Sequence, residues 1–261
     1  MNEILNTIGL SAIVIFFYMT TLFIIAMLVK DNSIADIAWG IGFILIAMVT
    51  LIHSGAYFPR QIVVTLLVLI WGSRLAIRIL RRNWGKGEDW RYQDWRKSWG
   101  KYFVIRSYLQ VFILQGFILL LNVTPVIIIN TTSDASITAL DVIGIAVWGI
   151  GFFFESVGDY QLDQFIRNPE NRGKIMDRGL WRYTRHPNYF GEITMWWGIW
   201  IIALSVAWGW IGIIGPAIIT AMIVFVSGIP LTERDMAKNP GFAAYKEKTS
   251  ILIPLPPKRA R

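Results

Sequence analysis

The sequence predicts an all-α integral membrane protein of about seven transmembrane helices, and three observations carry that prediction. Of its residues, 55% are hydrophobic and only 16% are charged. Apolar runs of roughly 20 residues recur along the chain, long enough to cross a bilayer as helices. Lysine and arginine collect in alternate connecting segments, the pattern the positive-inside rule describes. The buried strands of a soluble α/β protein run about 4–8 residues between turn signals, so the length and number of these runs argue against that class.

Spans are expected at 6–29, 34–53, 62–80, 103–128, 138–157, 189–207 and 210–231. The first apolar run, Ile8 to Val29, is too long for a signal peptide and lacks a basic leader, so it reads as a retained span. The sixth and seventh runs meet at Trp208-Gly209-Trp210, a tight hairpin with interfacial aromatics. No linker or shift in composition divides the chain, which reads as one membrane domain over 1–261.

Orientation follows from the cations. Residues 81–101 hold seven: Arg81, Arg82, Lys86, Arg91, Arg96, Lys97 and Lys101. Residues 158–188 hold six and the tail after 231 holds seven, whereas the opposite loops hold Arg60 alone. Seven spans put the basic segments on one side, with the N-terminus outside and the C-terminus in the cytoplasm. The same asymmetry accounts for the net charge of +8 without a nucleic-acid partner. With no cysteine and two histidines, His53 and His186, no disulfide, thiolate or His-rich metal chemistry is expected. Gly40-Ile41-Gly42 lies within a span and lacks the third glycine of a dinucleotide fingerprint.

Ionisable groups inside a membrane are costly, and each is a functional candidate. Asp36 lies in the first turn of span two, Arg74 and Arg78 near the end of span three, and Arg106 early in span four. Glu155 and Asp159 share a face at the end of span five, Glu192 opens span six, and Glu233 and Arg234 follow span seven. All fall at the cytoplasmic ends of this topology, as expected of a polar chamber roofed by apolar helix. Short carboxylates cannot reach far toward water, so Asp36, Glu155 and Glu192 need partners, and the arginines are the natural ones.

The densest motif runs from Gly179 through Trp181, Arg182, Tyr183, Thr184, Arg185, His186, Pro187, Asn188, Tyr189 and Gly191 to Glu192. Pro187 suits the first position of a helix, where its missing N–H costs nothing. Arg182 and Arg185 stand just before a helix start whose N–H groups favour an anion such as phosphate or carboxylate.

At these residues the chain resembles the steroid 5-alpha-reductase family, over about 150–258, and above all its uncharacterised bacterial relatives. The resemblance rests on Gly158-Asp159-Tyr160-Gln161, on the run from Gly179 to Glu192, on the tail from Tyr245 to Lys258, and on Arg82-Asn83-Trp84-Gly85-Lys86-Gly87-Glu88-Asp89. It implies a seven-helix fold holding NADPH in a cytoplasm-facing cavity, in a bacterial inner membrane. Asp159, Asn188, Tyr189 and Glu192 stand at the family's cofactor positions, with Glu155 where the family often has asparagine. Arg167, Lys174, Arg178, Arg185 and Arg234 are basic candidates for the cofactor's phosphates, with Asn83 and Lys86 beside them. The steroid reductases' Gln-Glu pair in the second span and tyrosine in the third are absent, and Trp71 stands near the tyrosine position. Asp36 is then either the proton donor, kept protonated in apolar surroundings, or a partner of Arg74.

The resemblance implies NADPH-dependent hydride transfer to the double bond, of enone type, in a lipid, sterol-like or isoprenoid substrate. The chain is also similar to isoprenylcysteine and phospholipid methyltransferases, whose Arg-His-Pro-x-Tyr-x-Gly pattern Arg185 to Gly191 fits. That implies S-adenosylmethionine instead, although Glu233-Arg234 supplies one glutamate where that family has a pair. A non-catalytic lipid binder or transporter is the third reading; the absence of an internal repeat and of midplane charges weighs against it.

Overall fold

A computed structural model describes residues 1–132 and 136–258. Arg259 and Arg261, two cations of the basic tail, lie outside the described residues. Every regular element among the described residues is helical. Six helices are long and apolar enough to cross a membrane: Asn2–Val29, Ile34–Ser54, Pro59–Asn83, Trp90–Asn122, Ala139–Arg167 and Gly209–Met236. The expected sixth span forms a shorter apolar helix, Pro187–Ala203, of 17 residues. At 1.5 Å per residue that is about 25 Å, the lower edge of what spans a bilayer.

The chain divides into two compact units, Met1–Thr138 with Ala203–Gly215, and Ala139–Ile202 with Pro216–Arg261. In the first unit, α1 (Asn2–Val29) ends at Lys30 in the left-handed conformation. Helix α2 (Ile34–Ser54) stops at Gly55, where φ is 63°, a value glycine adopts without penalty. Helix α3 (Pro59–Asn83) starts on a proline, in keeping with the absence of an N–H partner there. α2 and α3 approach until backbones touch: a Cβ on Gly40 would lie 2.6 Å from the Gly72 carbonyl oxygen. Small residues permit such contact in a membrane, where packing rather than water exclusion drives association. Phe43 fills the space beside it, edge-on to Trp71 at 5.3 Å.

The segment read as a basic loop over 81–101 is not one. It contains α4 (Trp90–Trp99), capped by the Asp89 side chain on the Arg91 N–H. The helical path continues through a 3-10 turn (Gly100–Tyr102), α5 (Phe103–Arg106), a π-helical turn (Ser107–Ile113) and α6 (Leu114–Asn122). α7 (Thr124–Asn130) follows, entirely buried. Arg60, counted above as a loop cation, is 2% exposed and donates to the Ser136 carbonyl. Beside it Gln61 Nε2 donates to the carbonyls of Asn130 and Thr132, closing the end of the unit with satisfied polar groups.

The second unit is built on α8 (Ala139–Arg167) and α9 (Pro187–Ala203). Gly144, Gly151 and Gly158 recur every seven residues on α8 and form its seam with α9. A Cβ at Gly144 would lie 2.6 Å from the Gly198 carbonyl oxygen, one at Gly151 2.6 Å from that of Gly191, and one at Gly158 3.0 Å from Pro187. Helix α10 (Ile214–Ala221) ends in a π-helical turn (Met222–Val226), so the last apolar run breaks before Ser227-Gly228. α11 (Ile229–Met236) and α12 (Phe242–Lys248) then carry the polar C-terminal segment.

Candidate functional site

In the second unit the motif from Gly179 to Glu192 is a fixed scaffold. Its first half lies against α8: Trp181 Nε1 donates to the Gly158 carbonyl at 2.9 Å, and the Leu180 N–H to Gln161 Oε1 at 2.9 Å. Its middle is knitted to the C-terminal tail. The Arg185 N–H donates to the Ser250 carbonyl at 2.8 Å, Thr184 Oγ1 to that of Leu252, and the Leu255 N–H to that of Tyr183. Tyr245 closes the arrangement by donating its hydroxyl to the Trp181 carbonyl at 2.5 Å. Burial pushes that phenol well above its ordinary range.

Arg185 sits at the centre, 4% exposed. Its Nε donates to Glu233 Oε1 at 2.7 Å, and its Nη1 to the carbonyls of Thr249 at 2.6 Å and Lys246 at 3.2 Å. The sequence offers Arg185 as an anion ligand; in the structure its guanidinium holds α11 and the tail together. His186 lies beside it, with Nε2 3.3 Å from the same Glu233 oxygen. Burial pushes the His186 imidazole down to about 4, against the opposing pull of the Glu233 carboxylate, so the ring is neutral at neutral pH. It stacks on Tyr189 at 5.2 Å, and the Tyr189 hydroxyl pairs with Thr232 at 2.8 Å.

Behind this scaffold the α8–α9 seam collects polar groups. Glu155 and Asp159 are each 3% exposed, one turn apart on α8. Gly158 between them faces the start of α9, where a Cβ would sit 3.4 Å from the Asn188 nitrogen. Asn188 Oδ1 is buried and accepts no hydrogen bond. Such an atom costs free energy unless a ligand or water supplies a donor. Glu192 follows Asn188 by four residues on the same face of α9.

The start of the motif, with Gly179 and Arg182, also lines a cleft of about 980 Å³. Lys174, Arg178, Arg182 and Lys248 bring four cations to its lining, against the one carboxylate of Asp177, with Tyr245 and Thr249 also lining it. Two of these, Lys174 and Arg178, are read from the sequence as phosphate ligands. Arg182 is read from the sequence as an anion ligand at the start of α9; Lys248 joins them only through the fold, because the tail lies back over the motif. Arg167 and Arg234 are exposed and do not line the cleft.

The remaining candidates lie in the first unit. Asp36 accepts from Arg91 Nη2 at 2.5 Å and from the Tyr92 hydroxyl at 2.8 Å. The sequence leaves Asp36 as either a proton donor or a partner of Arg74; the observed partners come from α4, which folds back over the start of α2. Two further bonds hold α4 there, from the Asp89 N–H to Ser33 Oγ at 2.7 Å and from the Asn32 N–H to Glu88 Oε1 at 3.0 Å. Asn83 is half-buried with Nδ2 unbonded, and Lys86 is exposed.

An all-helical chain with this many bilayer-length apolar helices, and charged clusters gathered in the segments that join them, is a polytopic membrane protein. It belongs to the DUF1295 family, described as a protein of unknown function, which matches residues 22–249. An uncharacterized protein of the fission yeast Schizosaccharomyces pombe is 23% identical over 226 residues, which is 75% of this chain and 63% of that relative. The chain thus spans less than two thirds of the length of that curated relative. No solved structure matches it.

Proposed function

We propose that this protein is a membrane-embedded NADPH-dependent reductase of the steroid 5-alpha-reductase type, acting on a double bond in a lipid, sterol-like or isoprenoid substrate. One observation carries the reading. A buried asparagine acceptor lacking a donor, Asn188 Oδ1, lies at a seam with the buried carboxylates Glu155 and Asp159. The same motif lines a cleft bearing four cations. This donor and acceptor set fits a dinucleotide phosphate. Lys174, Arg178, Arg182 and Lys248 would face its phosphates, and Asn188 would accept from its carboxamide. When bound, NADPH supplies the hydride. The scaffold of Arg185, His186 and Glu233 keeps the start of α9 in place. Asp36 and Tyr92, joined by the hydrogen bond from the Tyr92 hydroxyl in the first unit, are the proton-side pair of the proposal. The positive-inside asymmetry supports a site on the cytoplasmic side, and the resemblance to bacterial relatives supports a bacterial inner membrane.

Thermal shift of the detergent-purified protein with NADPH, NADH and S-adenosylmethionine tests this. At 100 times its dissociation constant a ligand stabilises by about 2.7 kcal/mol. Stabilisation by NADPH, weakened in Asn188→Ala, is the expected result. Stabilisation by S-adenosylmethionine alone overturns it. One observation favours that second reading: the Arg-His-Pro motif and the glutamate after the last hairpin meet, as the Arg185–Glu233 ion pair.

A further inference from the structure

The segment joining α3 to the next span sorts its charges into two sets. One is internal. Arg91 holds Asp36 at 2.5 Å and Asp89 at 2.9 Å, and Arg96 holds Glu88 at 2.8 Å. These pairs satisfy three carboxylates and consume two arginines. The other set is Arg81, Arg82, Lys97, Lys101 and Arg106, all but Lys86 of the remaining cations here. Each is exposed, and among the described residues none is paired with a carboxylate. The one exposed acid in the stretch is Asp94.

Aromatic rings are interleaved with that second set. Trp84 is 74% exposed, Tyr102 55% and Trp90 50%. Trp95 and Trp99 stack at 5.2 Å, Lys101 Nζ stands 5.1 Å from the Tyr102 ring, and Arg106 lies 6.0 Å from Trp99. Indoles left this open to water are unfavourable, whereas at headgroup depth their apolar faces and N–H groups are both satisfied.

Helix length sets the depth. The helical path Trp90–Asn122 breaks at Gly100, where φ is 50° and ψ −124°. Beyond the break, Phe103–Asn122 has 20 residues, about 30 Å at 1.5 Å per residue, which matches the hydrocarbon thickness. The polar part, Trp90–Tyr102, is then left outside the hydrocarbon. Lys97 and Lys101 therefore stand in the headgroup layer, with Arg106 at its inner edge.

We propose that Arg81, Arg82, Lys97, Lys101 and Arg106, with Trp84, Trp90 and Tyr102, form a docking face for anionic phospholipid headgroups. The face presents five cations against one acid, and its aromatic rings fix it at the interface, so charge and depth select an anionic lipid over a zwitterionic one. The cations lie outside the proposed cofactor cleft, and the inference stands whether or not the reductase reading does.

The full chain in a neutral detergent is titrated with short-chain phosphatidylglycerol, phosphatidylcholine of matched chain length, and inorganic phosphate, with bound molecules counted by native mass spectrometry. Each cation near an anionic surface contributes a factor of about five, so K97A/K101A/R106A weakens phosphatidylglycerol binding about 100-fold. Wild-type binding weakens as salt rises. The variant D94K, which adds a cation to the same face, strengthens binding about fivefold and decides the matter if the triple variant misfolds. Equal binding of the two lipids overturns the proposal. So does undiminished binding in a folded triple variant, no gain in D94K, or inorganic phosphate binding as tightly as the anionic lipid.

Discussion

Arg185 donates to Glu233 at 2.7 Å across 48 residues of sequence, with side chains 5% and 14% exposed. Because Arg185 also donates to the Lys246 and Thr249 carbonyls, one guanidinium ties the start of α9 to α11 and the tail. Removing one partner of a buried pair leaves the other uncompensated, at a cost of about 3–5 kcal/mol. Arg185→Ala is expected to lower the thermal midpoint and to expose the tail after Lys248 to trypsin. Arg185→Lys is expected to rescue little, because an ammonium cannot span the same acceptors. Thermal unfolding and limited proteolysis in detergent check both. An Arg185→Ala protein with a protected tail would show that other contacts suffice.

His186 makes stability depend on pH. Its ordinary value of 6.5 is pushed down to about 4 by burial, so the unfolded chain binds a proton between these limits that the folded protein excludes. Stability contributed by the neutral ring is complete above pH 6.5 and falls as pH drops toward 4. The shift is worth about 3 kcal/mol in all. His186→Gln, which cannot titrate, is expected to flatten this dependence between pH 6.5 and 4. The thermal midpoint against pH for the two proteins measures the difference. Parallel curves would assign the acid sensitivity to other groups.

The α8–α9 seam predicts opposite outcomes for neighbouring glycines. A Cβ at Gly151 meets the Gly191 carbonyl at 2.6 Å, while one at Gly149 meets nothing within 4 Å. Gly151→Ala is therefore expected to push the helices apart and cost about 1–3 kcal/mol. Gly149→Ala is expected to be neutral or to stabilise by up to about 1 kcal/mol through helix propensity. Unfolding of both variants in detergent, side by side, tests the seam. Equal effects would mean that the helices part freely there.

These residues also mark where the sequence was legible. Long apolar runs located α1, α2 and α3 to within a few residues, because their ends carry their own signals in Gly55 and Pro59. α4 was missed, since its inward residue is Tyr92 and its cations read as a loop. Arg60 was counted as a loop cation because nothing in one sequence reveals that Ser136 lies above it. The last span was read as continuous to 231, although its helix loosens into a π turn before Ser227. At the candidate site, Lys174, Arg178 and Arg182 are singled out in the sequence and line one cleft in the structure. Lys248 is not, because a tail folding back over its own motif leaves no local pattern.

The clasp of α4 on α2 yields a prediction that separates structure from chemistry. Asp36 receives Arg91 and Tyr92, and both the Arg91 and the Asp36 side chains are partly exposed, at 31% and 17%. Solvent screening limits the ion pair to about 1 kcal/mol. Tyr92→Phe deletes one hydrogen bond and is expected to cost a further ~1 kcal/mol. Combined with Asp36→Asn in a double-mutant cycle, the two should be non-additive by about 1 kcal/mol, because each removes the same contact. If the pair only clasps the helices, Asp36→Asn loses stability and leaves enone-dependent NADPH oxidation in proportion to the folded protein. If it supplies the proton, Asp36→Asn keeps its NADPH thermal shift and loses turnover by about 100-fold or more. Because the carboxylate is already held by two donors, the Tyr92→Phe variant is the sharper probe: it leaves the Arg91 pair in place and removes only the Tyr92 hydroxyl and its hydrogen bond.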